Sequence, residues 1–467
     1  VISFPKSEIP NPKLLDNSRT LLNLPILRLS MSNIILSIKP VFGKNLLKTG
    51  LLLLISFVVF AQKDKTLIYD NQIYEPYIKT PLLYPFDGTN NVQATLNPPV
   101  IGLNNNQNLK LEFDCLNPAV QNFRVKIFHC NADWQPSTLN EIEYLSEYND
   151  IPIYDYYNSF ATKIQYNHFS LVLPKVRVSG NFIVIVYKNR NEKDIVLSRR
   201  FQVYDSRVSV GGKIVFSNVP DKRRTHQQIN FAINYSGYEI LDPKNDLKII
   251  IRQNFRDNKT IKNLQPFMID NFNRKLDYQF FDGENSIEGI NEFRLFDIRS
   301  SQQKLVGISH ISYGDRENVF ELFTDKPQNG LAYVDTKDFD GMFVIDNYET
   351  NRGATDADYV RVSFQLKTDS LINKKVYILG AYNDWKLNES NQMHYVPESS
   401  SYEAFIQLKQ GIYNFQYITV DNKGTVNERD IEGSHSQTEN SYEIFVYHQS
   451  IGGRADSLVG YSLIKSR

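Results

Sequence analysis

Two clusters in this sequence hold residue types able to do chemistry. The first is His129, Cys130, Asn131 and Asp133, closed by Trp134. Imidazole, thiol and carboxylate at such spacing suggest a metal, since zinc takes N, S and O ligands. Zinc sites need three or four ligands, usually from paired motifs. The remaining histidines, at 168, 226, 310, 394, 435 and 448, are isolated. The string therefore reads as a strand end with a buried tryptophan and a polar turn. The second cluster is Asp335, Asp338 and Asp340 before Gly341, with Asp356 and Asp358 beyond. Carboxylates before a glycine suggest calcium, but an EF-hand loop needs alternating ligands and a terminal Glu. That spacing is missing, and aspartates turning the chain at strand ends account for the group. No G-x-S-x-G, H-E-x-x-H or P-loop string is present. A glycosidase carboxylate pair would lie far apart in sequence, but the α/β barrel pattern that usually hosts one is missing. The sequence thus assigns no catalytic residue, no metal ligand and no cofactor.

The elements that must position these residues are strands. Tyr and Phe are abundant, at 28 and 29, while Met and Trp number 4 and 2. Aromatic and β-branched enrichment favours strands. Period-two alternation recurs after residue 105, as over 109–114, 125–128, 181–187, 228–235, 248–252 and 401–408. Clusters of Asn, Asp, Gly and Pro separate these runs. Only residues 137–148 offer a short helix. The expectation is an all-β chain of three tandem immunoglobulin-like or early-set β-sandwiches in a row, with almost no helix. Turn chemistry divides it into a lead-in segment at 62–105 and sandwiches at 106–205, 206–325 and 326–467.

Residues 1–61 carry a different signal. An apolar run at 51–60 follows Lys39, Lys44 and Lys48, and Val59 and Ala61 occupy the −3 and −1 positions. This reads as a signal peptide cleaved after Ala61; ten apolar residues are too few to span a bilayer, which takes about 20. Met31 is the expected start, with residues 1–30 upstream of it. Residues 1–61 hold seven Lys/Arg and two Asp/Glu of the 52 and 52 in the chain, which leaves 45 basic and 50 acidic residues, net −5. A mildly acidic, mixed-charge surface excludes a nucleic-acid binder. Cys115 and Cys130 are the only cysteines. They fall on consecutive strands, and a hairpin centred near Ala119 would set Cys115 opposite residue 123. They are expected as two buried thiols, since a disulfide needs Cα atoms within about 7 Å.

Longer strings carry resemblances. Residues 375–386, Met393, 408–417 and the turn at 421–424 resemble the early-set sandwich of glycogen-binding modules. Trp385 matches the first sugar-stacking tryptophan of that family, and an exposed ring could stack on a sugar. The second stacking tryptophan should follow the 421–424 turn, and none does. Fold is therefore implied more strongly than sugar binding.

The most specific string is C-terminal. It holds Glu432, Gly433, Ser434 and His435, then Thr438, Glu439, Asn440 and Tyr442, then Gly453 and Arg454, then Leu458, Val459, Gly460 and Tyr461. Together with His129, Cys130, Asn131 and Trp134, it resembles the type IX secretion system plug proteins. Asp155, Tyr156, Ser159, Thr162, Tyr166, His168 and 179–182 fit the same pattern. Departures are Phe182 where Tyr is usual, Tyr447–His448 where the family often has Tyr-Tyr-Arg, and Ala455 where an aromatic is common. The resemblance covers about 68–467. It implies a non-enzymatic periplasmic protein at the periplasmic face of the outer membrane. Its implied partner is the outer-membrane type IX translocon β-barrel, whose periplasmic opening it would seal while no cargo is engaged. The competing expectation is a carbohydrate-binding protein that uses Trp385.

Overall fold

The computed structural model describes residues 65–466, apart from 90, 118–120 and 372. The expected signal peptide and start at Met31 lie outside the described residues. Strands dominate, as the alternation predicts. Leu109, Leu111 and Phe113 of the strand Asn108–Cys115 all turn inward. The α-helices among the described residues are four-residue turns at Glu141–Tyr144, Gly353–Asp356 and Arg429–Glu432. The first falls inside the expected 137–148.

The first sandwich closes two sheets on one core. One sheet runs Gln72–Ile73, Ile195–Tyr204, Gly180–Lys188, Phe123–Cys130, Ile151–Pro152, with Val100–Gly102 parallel to Ile195–Tyr204. The other runs Ile78–Phe86, Asn108–Cys115, Asn167–Val172, Asp155–Asn158. Phe113, Phe123 and Phe169 interlock between them at ring separations of 4.9 to 5.3 Å, inside the favourable range for aromatic pairs. The segment read as a lead-in at 62–105 supplies strands to both sheets, so it belongs to this sandwich. Cys115 and Cys130 are both free and buried, as expected, but not through a shared hairpin. Their strands sit in opposite sheets.

The second sandwich corrects the expected order. Its first sheet runs Ser209–Phe216, His226–Asn234, Lys275–Tyr278, Met268–Asp270, with Ser286–Glu288 also on His226–Asn234. Its second sheet runs Thr260–Lys262, Leu247–Gln253, Ser441–His448, Ser457–Lys465. The C-terminal strands therefore complete the second sandwich, not the third. Leu247 pairs with His448 and Gln253 with Tyr442. Ile249, Ile251, Ile444 and Val446 share a core with Ile229, Phe231 and Leu276.

The third sandwich is built between these parts. A ten-stranded sheet starts at Arg294–Asp297 and ends at Ile308–Tyr313, and it curls over one core. Phe296 from one end and Phe320 from the other lie in the same cluster with Phe364 and Phe415. The strands Arg294–Asp297, Ile308–Tyr313 and Asn318–Leu322, read as part of 206–325, belong here. The three sandwiches are thus not a simple row: the third is inserted into the second. Turn chemistry marks where strands end but not which strands pair, and that is why the boundaries moved.

This arrangement makes a prediction. Ile251 and Ile444 face each other across the pairing, and truncating either buried isoleucine to Ala should cost about 2–5 kcal/mol. A double-mutant cycle by denaturant unfolding should give a coupling of about 0.5–3 kcal/mol. Additive effects would contradict the pairing.

Candidate functional site

The strand Phe123–Cys130 ends in a tight turn. The Trp134 amide donates to the Asn131 carbonyl at 2.9 Å, and Trp134 takes a left-handed φ of 65°. His129 is buried with its ring against Phe182 at 4.9 Å. Burial pushes its pKa down to about 4, so the ring is neutral. Burial also pushes the Cys130 thiol up to about 12. A neutral, enclosed thiol is a poor nucleophile and a poor metal ligand. No group of three His, Cys, Asp or Glu suited to a metal occurs among the described residues.

The turn's actual partner is the C-terminal string. The Asn131 side chain accepts from the Asp456 amide at 3.1 Å, and the Ala132 amide donates to the Asp456 carboxylate at 3.0 Å. Lys248 pairs with the same carboxylate at 2.8 Å. Asn181 donates to the Asn131 carbonyl and accepts from the Tyr447 hydroxyl at 2.7 Å. Gly453 closes the preceding turn onto the Ser450 carbonyl, and Arg454 pairs with Glu143. Gly460 lies against Val208, where a Cβ would come within 2.6 Å of the Val208 side chain. Tyr461 packs on Tyr204 at 5.1 Å and donates to Glu443. The two strings that carry the resemblance therefore interlock, though Asn131 and Asp456 lie 325 positions apart.

The earlier half of the C-terminal string holds the second and third sandwiches together. Glu432 accepts from Arg294 at 3.0 and 3.1 Å and from the Tyr417 amide at 2.8 Å. Gly433 takes φ +79° beside Asn329, a left-handed turn that favours glycine. The His435 amide donates to the Ile290 carbonyl at 2.7 Å. Asn440 donates to Gln227 and to the Gly289 carbonyl, and accepts from Asn254 at 2.7 Å. Tyr442 donates to Gln227 at 2.7 Å.

Asn254 begins a short loop, 254–259, that touches all three sandwiches. Asn254 and Phe255 both adopt left-handed φ, and the Ser441 backbone holds Asn254 in place. Next in the loop, Arg256 is fully buried and pairs with Glu428 at 2.7 Å. Its guanidinium lies 4.1 Å from the centre of the Trp385 ring. Asp257 then bridges Arg200 of the first sandwich at 3.0 Å and Arg252 at 2.7 Å. Arg200 stacks over Trp134 at 4.3 Å, and Arg252 forks onto Glu443 at 2.6 and 3.0 Å. Burial alone would raise the Asp257 pKa, but the two arginines hold it below the usual carboxylate range.

This geometry answers the sugar-binding expectation. Trp385 is half-buried, with Arg256 over its ring, Phe293 at 5.6 Å and Gly341 against its edge. It braces a joint rather than offering an open face. The Asp335–Gly341 string serves structure too. Asp338 accepts from the Phe293 amide and from the Asp340 amide at 2.8 Å, and Asp340 accepts from Ser441 at 2.7 Å.

A second joint, between the first and third sandwiches, was not legible as a motif. Asp114 pairs with Lys409 at 2.6 Å, both fully buried, and with His168 at 2.8 Å. Tyr359 donates to the same carboxylate at 2.7 Å. The available signal was weak: alternation that turns Leu109, Leu111, Phe113 and Cys115 inward puts Asp114 on the outer face with Lys110 and Glu112, and Asp114 is buried there by its contact with Lys409 of the third sandwich. Burial lowers the pKa of His168, but its bonds to Asp114 and Glu112 outweigh this and raise it above 6.5. Burial would raise Glu112, but His168 and Lys110 bring it down to about 2.

Two predictions follow from these charges. His168 contributes stability that is complete below about pH 6.5, its unfolded value, and is lost as pH rises through its raised folded value. Glu112 contributes stability above about pH 4.3 that is lost as pH falls toward 2. The melting temperature should therefore be highest between these limits, and His168→Gln should flatten the alkaline limb. Lys409→Met should cost about 1–3 kcal/mol, because Asp114 loses its buried cation but keeps its bonds to His168 and Tyr359, and adding Asp114→Asn should restore part of it. A loss below about 1 kcal/mol in the single variant would contradict a structural ion pair.

Comparison with known proteins bears on all of this. The family model for the type 9 secretion system plug protein, first domain, matches residues 78–205. A crystal structure of a hypothetical protein from Parabacteroides merdae superposes with a TM-score of 0.80 at 30% identity, over 86% of this chain and 100% of that one. A Salmonella α-2-macroglobulin mutant covers 84% of this chain and 33% of its own at 8% identity, with a TM-score of 0.17. No curated protein matches. The match at 78–205 spans nearly all of the first sandwich, and the interlocked strings lie on it and on the C-terminal strands it grips: the chain belongs to the type IX secretion system plug protein family.

Proposed function

We propose that this protein is a non-enzymatic plug. It binds and seals the periplasmic opening of the outer-membrane type IX translocon barrel when no cargo is engaged, and it resides in the periplasm at that membrane. Family membership supports a role in type IX secretion. The observation that carries the stopper reading is the joint at 254–259, where the buried Arg256–Glu428 pair and the partly buried Arg200–Asp257 pair tie three sandwiches into one body. A barrel wide enough for folded cargo leaks unless something rigid fills its mouth.

A docking face fits this reading. Residues 148–160 run along the open side of the first sandwich and provide an edge strand to each sheet, at Ile151–Pro152 and Asp155–Asn158. Tyr148, Tyr154, Tyr157 and Phe160 are exposed along this run. Tyrosine is enriched at interface hot spots because it buries area and keeps a polar handle. The tip at 131–137, which loop position alone would nominate, is instead bound through Asn131 and Ala132 to Asp456, just past the second such tip at 448–454, whose Arg454 is held by Thr138 and Glu143.

Affinity purification of the tagged protein from outer membranes should recover a very large β-barrel, identified by mass. Tyr154→Ser with Tyr157→Ser should cut recovery at least tenfold, equivalent to about 1.4 kcal/mol or more, with an unchanged melting temperature. Recovery of no barrel by the wild type would end the plug reading, whereas undiminished recovery by the variant would exclude only this face.

A further inference from the structure

The second sandwich carries an exposed apolar ridge of a different kind. It begins at Phe281, 72% exposed, which meets Phe267, 58% exposed, at 5.6 Å. It continues along the edge strand Met268–Asp270, where Met268 is 53% exposed. It ends at Phe272, 95% exposed, at the apex of the hairpin to Lys275–Tyr278. The apex is well built. Asp270 accepts from the Asn273 amide at 2.9 Å and from its side chain at 2.7 Å. The Arg274 carbonyl accepts from the Tyr235 amide at 3.0 Å. A fixed turn thus holds a phenylalanine almost wholly in water.

We propose that this ridge inserts into the surface of a phospholipid bilayer. The inference rests on the outer-membrane placement proposed above, but it concerns a separate surface and a separate partner. Three observations favour lipid over protein. First, the exposed parts of Phe267, Met268, Ile269, Phe272 and Phe281 amount to roughly 630 Å², taking about 200 Å² per side chain, short of the ~800 Å² per partner of a stable protein interface. Second, the edge strand is three residues long, too short to template an added strand, which typically runs about 5–6 residues. Third, the ridge is a protruding tip of Phe, Met and Ile without hydroxyl or indole handles, unlike the tyrosine run at 148–160. A convex apolar tip suits shallow insertion, as at interfacial anchors. Arg274 and Lys275 follow the apex at the level where headgroups would lie, and Asp282 and Glu284 follow Phe281. Charge is therefore mixed, and apolar insertion drives the contact.

Flotation with protein-free vesicles of phosphatidylethanolamine and phosphatidylglycerol tests this directly. The full protein should co-float, with little change up to about 0.5 M salt, where exposed charges are largely screened. Phe272→Ser with Phe281→Ser should lower partitioning at least tenfold at an unchanged melting temperature. Phe272→Trp should still bind and shift its emission to the blue on adding vesicles. Failure of the wild type to float, or equal flotation of the serine variant, overturns the proposal. So does a result in which the serine variant loses only a protein partner or a self-associated form, which would make the ridge a protein interface. None of these outcomes bears on barrel recovery through the tyrosine run, so the two readings fail separately.

Discussion

Asp257 stands between two guanidiniums, Arg200 at 3.0 Å and Arg252 at 2.7 Å, and the rest of the assembly depends on that bridge. A buried charge without a partner costs several kcal/mol. Each arginine must therefore be delivered to the same point by its own sandwich. Arg200 comes from the first, flattened on Trp134, and Arg252 from the second, forked onto Glu443. The neighbouring Arg256 extends the requirement to Glu428 and Trp385 of the third. Displacing the third sandwich would strand Arg256 and Glu428 as buried charges, and displacing the first would take one of its two cations from Asp257. The joint enforces one relative placement more than it adds net stability, because burying ions offsets much of their attraction.

Strand character was legible because it is local. Alternation over six to nine residues reports one buried face, and the all-β expectation met the structure on that ground. Pairing was not legible. Leu247 lies opposite His448, and nothing near either residue announces the other. The boundaries at 325 and 105 failed for the same reason. Cys115 and Cys130 show the limit on a small scale, since consecutive strands looked like a hairpin and instead face each other from two sheets.

The site divides in a similar way. His129, Asn131 and Trp134, and the run from Glu432 to Tyr461, stood out as strings without a visible chemistry. Their geometry supplies the reason. Polar side chains at these points satisfy buried backbone groups across the joints, as Asn131 does for Asp456 and Asn440 does for Gly289. Such groups must be paired once buried. Asp114, His168 and Lys409 form an equally demanding cluster, but they come from separate strands and leave no string to read.

Inserting one sandwich within another also sets an order of assembly. The core around Ile249 and Ile251 needs Ile444 and Val446, which lie beyond the whole third sandwich in the chain. A polypeptide delivered from its N-terminus can complete the first sandwich early. The second must wait with an open apolar sheet until the final strands arrive. Closing so long a loop is slow compared with local pairing. During that interval the half-built sheet offers an unpaired edge at Leu247–Gln253, the kind of surface that chaperones protect. The 254–259 loop, which needs Ser441 to hold Asn254, cannot lock before then. The assembled body is therefore unavailable until the last strand has emerged.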